Sequence, residues 1–255
     1  WLITFLRNWC YDIGLFKSQS YQIPIIAVGN LSVGGTGKTP QIEYLIRLLQ
    51  DNFKVATLSR GYKRETNGFV LANNSTTVKQ IGDEPFQFFT KFPKIKVAVD
   101  ANRVNGINQL LKLENKPEII LLDDAFQHRK VQGGFNILLT SYNDLYVDDC
   151  MLPTGNLRES KGGAQRAQTI IITKCPNNIS ETSRQKITQK LNLTTNQSLF
   201  FTTIEYDDTL KGDSEFQLNE LRNSEVLLIT GIANPTPLIA YLKTQKLKFK
   251  HLKYP

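Results

Sequence analysis

Short apolar blocks rich in β-branched residues recur along the chain, at 23–29 (IPIIAVG), 54–59 (KVATLS), 96–100 (KVAVD), 118–124 (EIILLDD), 135–140 (FNILLT), 169–174 (TIIITK) and 225–230 (EVLLIT). Several are continuous rather than alternating, the pattern of strands covered on both faces in a parallel sheet. Between them, apolar residues three and four apart predict helices over 38–51, 84–91, 101–113 and 180–191. Strand–helix alternation of this kind predicts an α/β, doubly wound, mostly parallel sheet. The segment FVLANNSTTVKQIG (69–82) reads as a hairpin with a polar tip at Asn73–Ser75. At the start, Leu2, Phe5, Leu6, Trp9, Ile13 and Phe16 fall at helical spacing, interrupted by Arg7, Asn8 and Asp12. This amphipathic helix either lies on a membrane surface or packs on the body of the protein.

With 255 residues, 40% of them hydrophobic and 21% charged, the chain has enough apolar material for a substantial core. Its formal net charge of +8 suits an anionic partner: a nucleic acid, a negatively charged membrane face or a phosphorylated ligand. Cys10, Cys150 and Cys175 are too dispersed for a disulfide framework or a cysteine metal site, and a reducing, cytoplasmic setting is expected. No apolar run approaches the ~20 residues needed to span a bilayer. The chain opens on Trp1 rather than Met, so its natural N-terminus is expected to lie upstream.

The candidate chemistry begins at NLSVGGTGKTP (30–40), between an expected strand and an expected helix. A glycine-rich turn in that position, followed by Lys-Thr, is the setting of a phosphate-binding loop. Backbone N–H groups from Ser32, Val33, Gly34, Gly35, Thr36 and Gly37 would converge on phosphate oxygens, with the helix N-terminus adding positive potential. Lys38 would reach the β- and γ-phosphates, and Thr39 would place its hydroxyl on Mg²⁺. The usual G-x-x-x-x-G-K-[ST] pattern is broken at its first position, where Ser32 stands. EIILLDD ends in Asp123 and Asp124, where a carboxylate is needed near Mg²⁺ and Thr39. Guanine-reading proteins carry an Asn/Thr-Lys-x-Asp segment; here Thr173-Lys174 is followed by Pro176 in place of the aspartate, which favours ATP. Three further polar groups fall at expected strand ends or helix starts: Arg60 and Tyr62 in LSRGYKR, Asp83 and Glu84 in GDEP, and Arg103 in DANRVNG. Asp83 and Glu84 alternatively cap a helix.

Six segments in order (VGNLSVGGTGKTP, LSRGYKR, GDEP, LLDDAFQHR, LPTGNLRES and TGIANP) together resemble the tetraacyldisaccharide 4'-kinase family, the lipid A 4'-kinases of Gram-negative bacteria, over residues 28 to 235. The resemblance implies a P-loop NTPase-type fold and ATP- and Mg²⁺-dependent phosphorylation of a lipid A disaccharide precursor at its 4'-hydroxyl. It implies a peripheral protein on the anionic cytoplasmic face of the inner membrane, and no nucleic-acid partner; it sets no oligomeric state. By this resemblance Asp83 is the catalytic base, acting with Lys38 and Arg103. Thr39, Asp123 and Asp124 hold the metal, and Arg60, Tyr62, Glu84, Gln127 and His128 line the substrate site. The expected organisation is a P-loop kinase domain with its amphipathic helix at 1–145, and a second, smaller α/β domain at 146–255, incomplete at its C-terminal end. The family's Asp-His-His segment, one of whose histidines partners the catalytic aspartate, is expected beyond Pro255; His251 lies before it, and reduced turnover of these 255 residues is expected.

Three rivals make other demands. A GTPase or metal-insertion chaperone needs guanine recognition and a Cys/His cluster. A non-catalytic membrane module would have lost Lys38, Thr39 or Asp123. A nucleic-acid ATPase would carry a basic-aromatic stripe.

Overall fold

A computed structural model describes residues 2–232 and 234–254; Trp1, the Ala233 of TGIANP and Pro255 lie outside the described residues. The chain divides into two compact units, residues 1–203 and 204–255. In the first unit the elements are α1 (Leu2–Asp12), β1 (Ile25–Asn30), α2 (Lys38–Leu49), β2 (Val55–Ser59), β3 (Val70–Leu71), α3 (Val78–Ile81), α4 (Asp83–Lys91), β4 (Lys96–Val99), α5 (Arg103–Leu111), β5 (Ile119–Asp123), β6 (Phe135–Ser141), β7 (Thr169–Cys175), α6 (Glu181–Leu191) and β8 (Ser198–Thr203). Eight strands form one sheet in the order β3-β4-β2-β5-β1-β6-β7-β8. Every pairing is parallel except β3 with β4.

The continuous apolar runs are explained by two buried faces. On one, Val28, Leu121, Ile137 and Leu139 pack with Ile42 and Ile46 of α2 and Phe88 of α4. On the other, Ala27, Leu58, Ile120 and Leu122 pack with Ile107 and Leu110 of α5. A third cluster joins Leu138, Ile170 and Ile172 to Ile187 and Leu191 of α6. Because the strands are parallel, Asn30, Ser59, Asp123 and Thr173 all fall at the same carboxyl edge of the sheet, the edge that receives ligands in this architecture.

The boundary expected after residue 145 falls inside the first unit. The reason is pairing: β7 joins β6 and β8 joins β7, so the sheet continues to Thr203. The expected hairpin at 69–82 does not form. Val70 and Leu71 pair with Val99 and Ala98 of β4, and the second arm is the helical turn α3. A capping box drives this, with the Thr77 N–H donating to Gln80 Oε1 at 2.8 Å, an arrangement that favours helix over strand. Asn73–Ser75 is still a polar turn, its Asn73 Oδ1 accepting from Ser75 N at 2.9 Å.

The second unit holds β9 (Thr209–Leu210), β10 (Phe216–Gln217), β11 (Val226–Thr230), α7 (Thr236–Thr244) and β12 (Phe249–Lys253). β9 and β10 pair antiparallel; β11 and β12 pair parallel through α7, a βαβ unit. Leu218, Leu242 and Leu247 form its core. His251, on β12, shares a 2.8 Å hydrogen bond with Thr230 Oγ1.

Candidate active site

The turn after β1 is held at both ends. Ser32 bridges to Leu157, and the Val33 N–H donates to Asn156 O at 2.8 Å. Ser32 is 4% exposed and does not have a positive φ, so glycine is not needed where the usual pattern has one. At the other end Gly37 adopts φ 88° and caps α2, whose first residue is Lys38. A left-handed residue there suits glycine, which has no Cβ to clash.

Lys38 Nζ donates to Asn30 Oδ1 at 3.3 Å and lies 3.6 Å from Asp124 Oδ1. Arg158 grips both carboxylate oxygens of Asp124, at 3.1 and 2.9 Å, and also donates to the Asn30 side-chain oxygen. Burial alone would raise the Asp124 pKa, but the Arg158 hydrogen bonds and the charges of Lys38, Arg158 and Arg103 hold it below the usual carboxylate range. Asp124 is thus engaged by two cations. The Thr39 hydroxyl instead donates to Glu84 Oε1 at 2.8 Å.

Asp123 is 2% exposed, and its Oδ1 has no hydrogen-bond partner. Burial pushes its pKa up to about 7, with further contributions from the negative charges of Glu84 and Asp124. An orphaned buried carboxylate oxygen, a second carboxylate within electrostatic reach and the Thr39 hydroxyl bound to it form an all-oxygen donor set. That chemistry fits Mg²⁺, which takes one or two carboxylates and leaves other positions for water and phosphate. Among the described residues no group of three or more His, Cys, Asp or Glu gathers as a protein-only metal cage, and Cys10, Cys150 and Cys175 are free thiols.

The raised Asp123 pKa has a testable sign. The native state holds a proton that the unfolded chain releases near 3.8, so this group's contribution is full below that value and is lost as pH rises through about 7. The stability of the nucleotide-free protein is expected to fall over that window by on the order of a few kcal/mol. Urea unfolding between pH 5 and 8 checks this: Asp123→Asn should flatten the slope, and an unchanged slope would assign it to other groups.

The remaining expected residues separate. Arg103 is 3% exposed and spends its guanidinium on the carbonyls of Asp100 and, at 3.3 Å, Asp123, bracing the ends of β4 and β5. Burial lowers its pKa to about 10, which leaves it charged at neutral pH. Asp83 opens α4 without capping it: Gly82 is the N-cap residue, and no side-chain hydrogen bond caps the helix there. Gly82, at φ 90°, comes so close to LSRGYKR that an added Cβ would lie 2.9 Å from Tyr62 O, bringing Asp83 beside the segment of Arg60 and Tyr62. Both those side chains are exposed. Gln127 Nε2 donates to Asn30 O at 2.8 Å and Glu159 Oε1 at 3.2 Å. Burial, reinforced by the charge of Arg103, drops the His128 pKa to about 4, so its imidazole is neutral at pH 7.

Sequence reasoning gave no role to Asn30, Arg158 or Glu159. Arg158 and Glu159 lie in LPTGNLRES, a loop in sequence that tertiary folding carries to the phosphate turn. Glu159 is fully buried and accepts from Asn8 of α1 at 2.9 Å, Gln127 at 3.2 Å and Arg166 at 2.8 Å. Arg129 adds bonds to Asn8 O at 2.8 Å and Asp12 at 2.7 Å. The helix is therefore attached through its polar residues, while Leu2, Phe5, Leu6 and Trp9 are exposed.

A glycine turn between a parallel strand and the lysine that starts the next helix, with a buried aspartate ending the neighbouring strand, defines a P-loop nucleotide-binding protein. The tetraacyldisaccharide-1-P 4'-kinase family profile matches residues 1–255, and the chain belongs to that family. A tetraacyldisaccharide 4'-kinase of Flavobacterium johnsoniae is 58% identical over 96% of this chain and 72% of its own length. One from Bacteroides thetaiotaomicron is 49% identical over 94% of this chain and 67% of its own length. The crystal structure of LpxK from Aquifex aeolicus in complex with ATP has a TM-score of 0.80 and 33% identity, covering 99% of this chain and 78% of that one. The chain is accordingly an ATP-dependent kinase of a lipid A precursor.

Proposed function

We propose that the carboxyl edge of the sheet carries out this family's transfer of the γ-phosphoryl group of ATP to the 4'-hydroxyl of a tetraacyldisaccharide 1-phosphate. The observation that carries the assignment is the convergence of Lys38, the Thr39–Glu84 pair and the unpartnered Asp123 oxygen on one strand edge. Phosphoryl transfer asks the protein chiefly for positioning and charge neutralisation. Lys38 would neutralise the β- and γ-phosphates on leaving Asn30 and Asp124. Thr39, Asp123 and Glu84 would hold Mg²⁺, which supplies charge stabilisation to the transferring group when bound. Asp83 would accept the proton of the attacking hydroxyl. Arg60, Tyr62, Gln127 and neutral His128 would orient the sugar, and Arg158 would keep Asp124 and Asn30 in place. The test is transfer of labelled γ-phosphate from ATP to a tetraacyldisaccharide 1-phosphate. Label found only in free phosphate would reject the assignment.

The exposed apolar residues of α1 support a finer setting. No helix among the described residues is long and apolar enough to cross a membrane. A short helix tied down by Asn8 and Asp12 with its large apolar residues exposed suits insertion into a membrane interface, and the net charge of +8 suits an anionic leaflet. The proposed location is thus peripheral, on the cytoplasmic face of the inner membrane. Replacing Leu6 and Trp9 by Ser, with the polar anchors kept, is expected to weaken sedimentation with anionic vesicles by at least roughly tenfold, given about 1.5–3 kcal/mol for each buried large side chain. Equal binding by both proteins would rule out α1 as the anchor.

A further inference from the structure

The end of β7 departs from regular strand geometry. Ile172 pairs with Phe201 but Cys175 pairs with Thr203, so β7 carries one residue more than β8 across this stretch. Lys174 lies within it at φ 58°. A non-glycine residue in the left-handed region costs roughly 1–3 kcal/mol, and β-bulges commonly re-aim a side chain. In a regular strand two successive side chains point to opposite faces. Here two successive side chains reach the same loop: Thr173 Oγ1 donates to Thr36 O at 2.8 Å, and Lys174 Nζ donates to Gly35 O.

We propose that Thr173 and Lys174 are positioning residues for ATP binding, which set the peptide orientation of the phosphate loop from the bulged end of β7. The proposal rests on the reading of residues 32–39 as that loop. A loop that cradles phosphate must turn its N–H groups toward the anion. The carbonyls of the same stretch then point away and need donors of their own. Gly34, Gly35 and Gly37 lack the side chains that would resist rotation of those peptides, so the donors must come from elsewhere. Thr173 and Lys174 supply them for two consecutive carbonyls. The contact is close: a Cβ added at Gly35 would lie 3.9 Å from Lys174 Nζ, and one at Gly37 would lie 3.8 Å from Thr173 Cβ. The Thr-Lys pair thus serves the loop that holds the phosphates, at the strand end where guanine-reading proteins use a similar pair on the base.

The experiment compares Lys174→Met, Thr173→Val, Thr173→Ser and Lys38→Ala in the full chain. Lys174 is exposed, so its replacement does not threaten the core. The KM for ATP is expected to rise about tenfold in Lys174→Met and roughly fivefold in Thr173→Val, as suits loss of a charged and a neutral hydrogen bond. In both, kcat should fall less than KM rises, with the nucleotide-free melting temperature of Lys174→Met unchanged. Thr173→Ser, which keeps the hydroxyl, should return KM to within about twofold of wild type. An ATP KM within about twofold of wild type in Lys174→Met overturns the proposal. So does a changed ATP-to-GTP preference at unchanged ATP KM, which would assign the pair to the base. If Lys38→Ala is also silent, the reading of the loop itself fails; if Lys38→Ala is inactive while the other variants are silent, only the positioning role fails.

Discussion

Lys38→Ala is expected to lower kcat/KM by about 10²–10³, the usual cost of removing one preorganised charge contact from a transition state. Lys38 is the first residue of α2, and its ammonium lies between Asn30 Oδ1 and Asp124. The variant should fold normally, because Arg158 still holds both of those groups. The loss is therefore expected in catalysis and not in melting temperature. Steady-state kinetics with Mg–ATP and the lipid substrate measure it, and activity within tenfold of wild type would reject Lys38 as the phosphate-binding cation. Lys38→Arg should not rescue fully, since a planar guanidinium replaces a compact point charge on a shorter reach.

Asp83→Asn is the second large effect, a fall in kcat of roughly 10²–10⁴, the range for a lost general base. The nucleotide Kd should barely move, because among the described residues the recorded side-chain bonds of Lys38 and Thr39 go to Asn30, Asp124 and Glu84 and not to Asp83. The competing account, helix capping, is weakened by the observed geometry: Gly82 occupies the N-cap and no side-chain hydrogen bond caps the helix start. What a carboxylate at the first turn of α4 still contributes is its interaction with the helix dipole, about 0.3–1 kcal/mol. Asparagine keeps the shape and loses the basicity. A drop in kcat with an unchanged melting temperature and unchanged nucleotide Kd identifies the base. A drop of about 1 kcal/mol in stability with near-normal kcat would mean that Asp83 serves only the helix.

Much of this site was legible because its signals are local. The glycine turn needs glycine for the backbone path at Gly37, the lysine follows at once, and the apolar run of β5 announces the aspartate that ends it. Such features depend on residues a few positions apart, and the periodicity that marks strands and helices is equally local. The hairpin at 69–82 failed for a related reason: alternation alone cannot show that Val70 and Leu71 will find β4, or that Thr77 and Gln80 will close a capping box. β8 was missed because an edge strand with one exposed side carries little apolar signal.

The sequence by itself determined the α/β class, the glycine turn between β1 and α2, the place of Asp123 at the end of β5 and the family. Each is written in short-range pattern, or in motifs whose spacing the backbone enforces. Tertiary structure alone decided that Arg158 grips Asp124, that Glu84 meets Thr39, that Arg103 braces strand ends from a buried position, and that α1 buries Asn8 while Leu2, Phe5, Leu6 and Trp9 are exposed. These partners are separated by 34 residues for Asp124 and Arg158, 45 for Thr39 and Glu84, and 151 for Asn8 and Glu159. Contacts across such distances are fixed by strand order and by the burial of polar groups that must find partners, and neither is visible until the parallel sheet brings the strand ends to one edge.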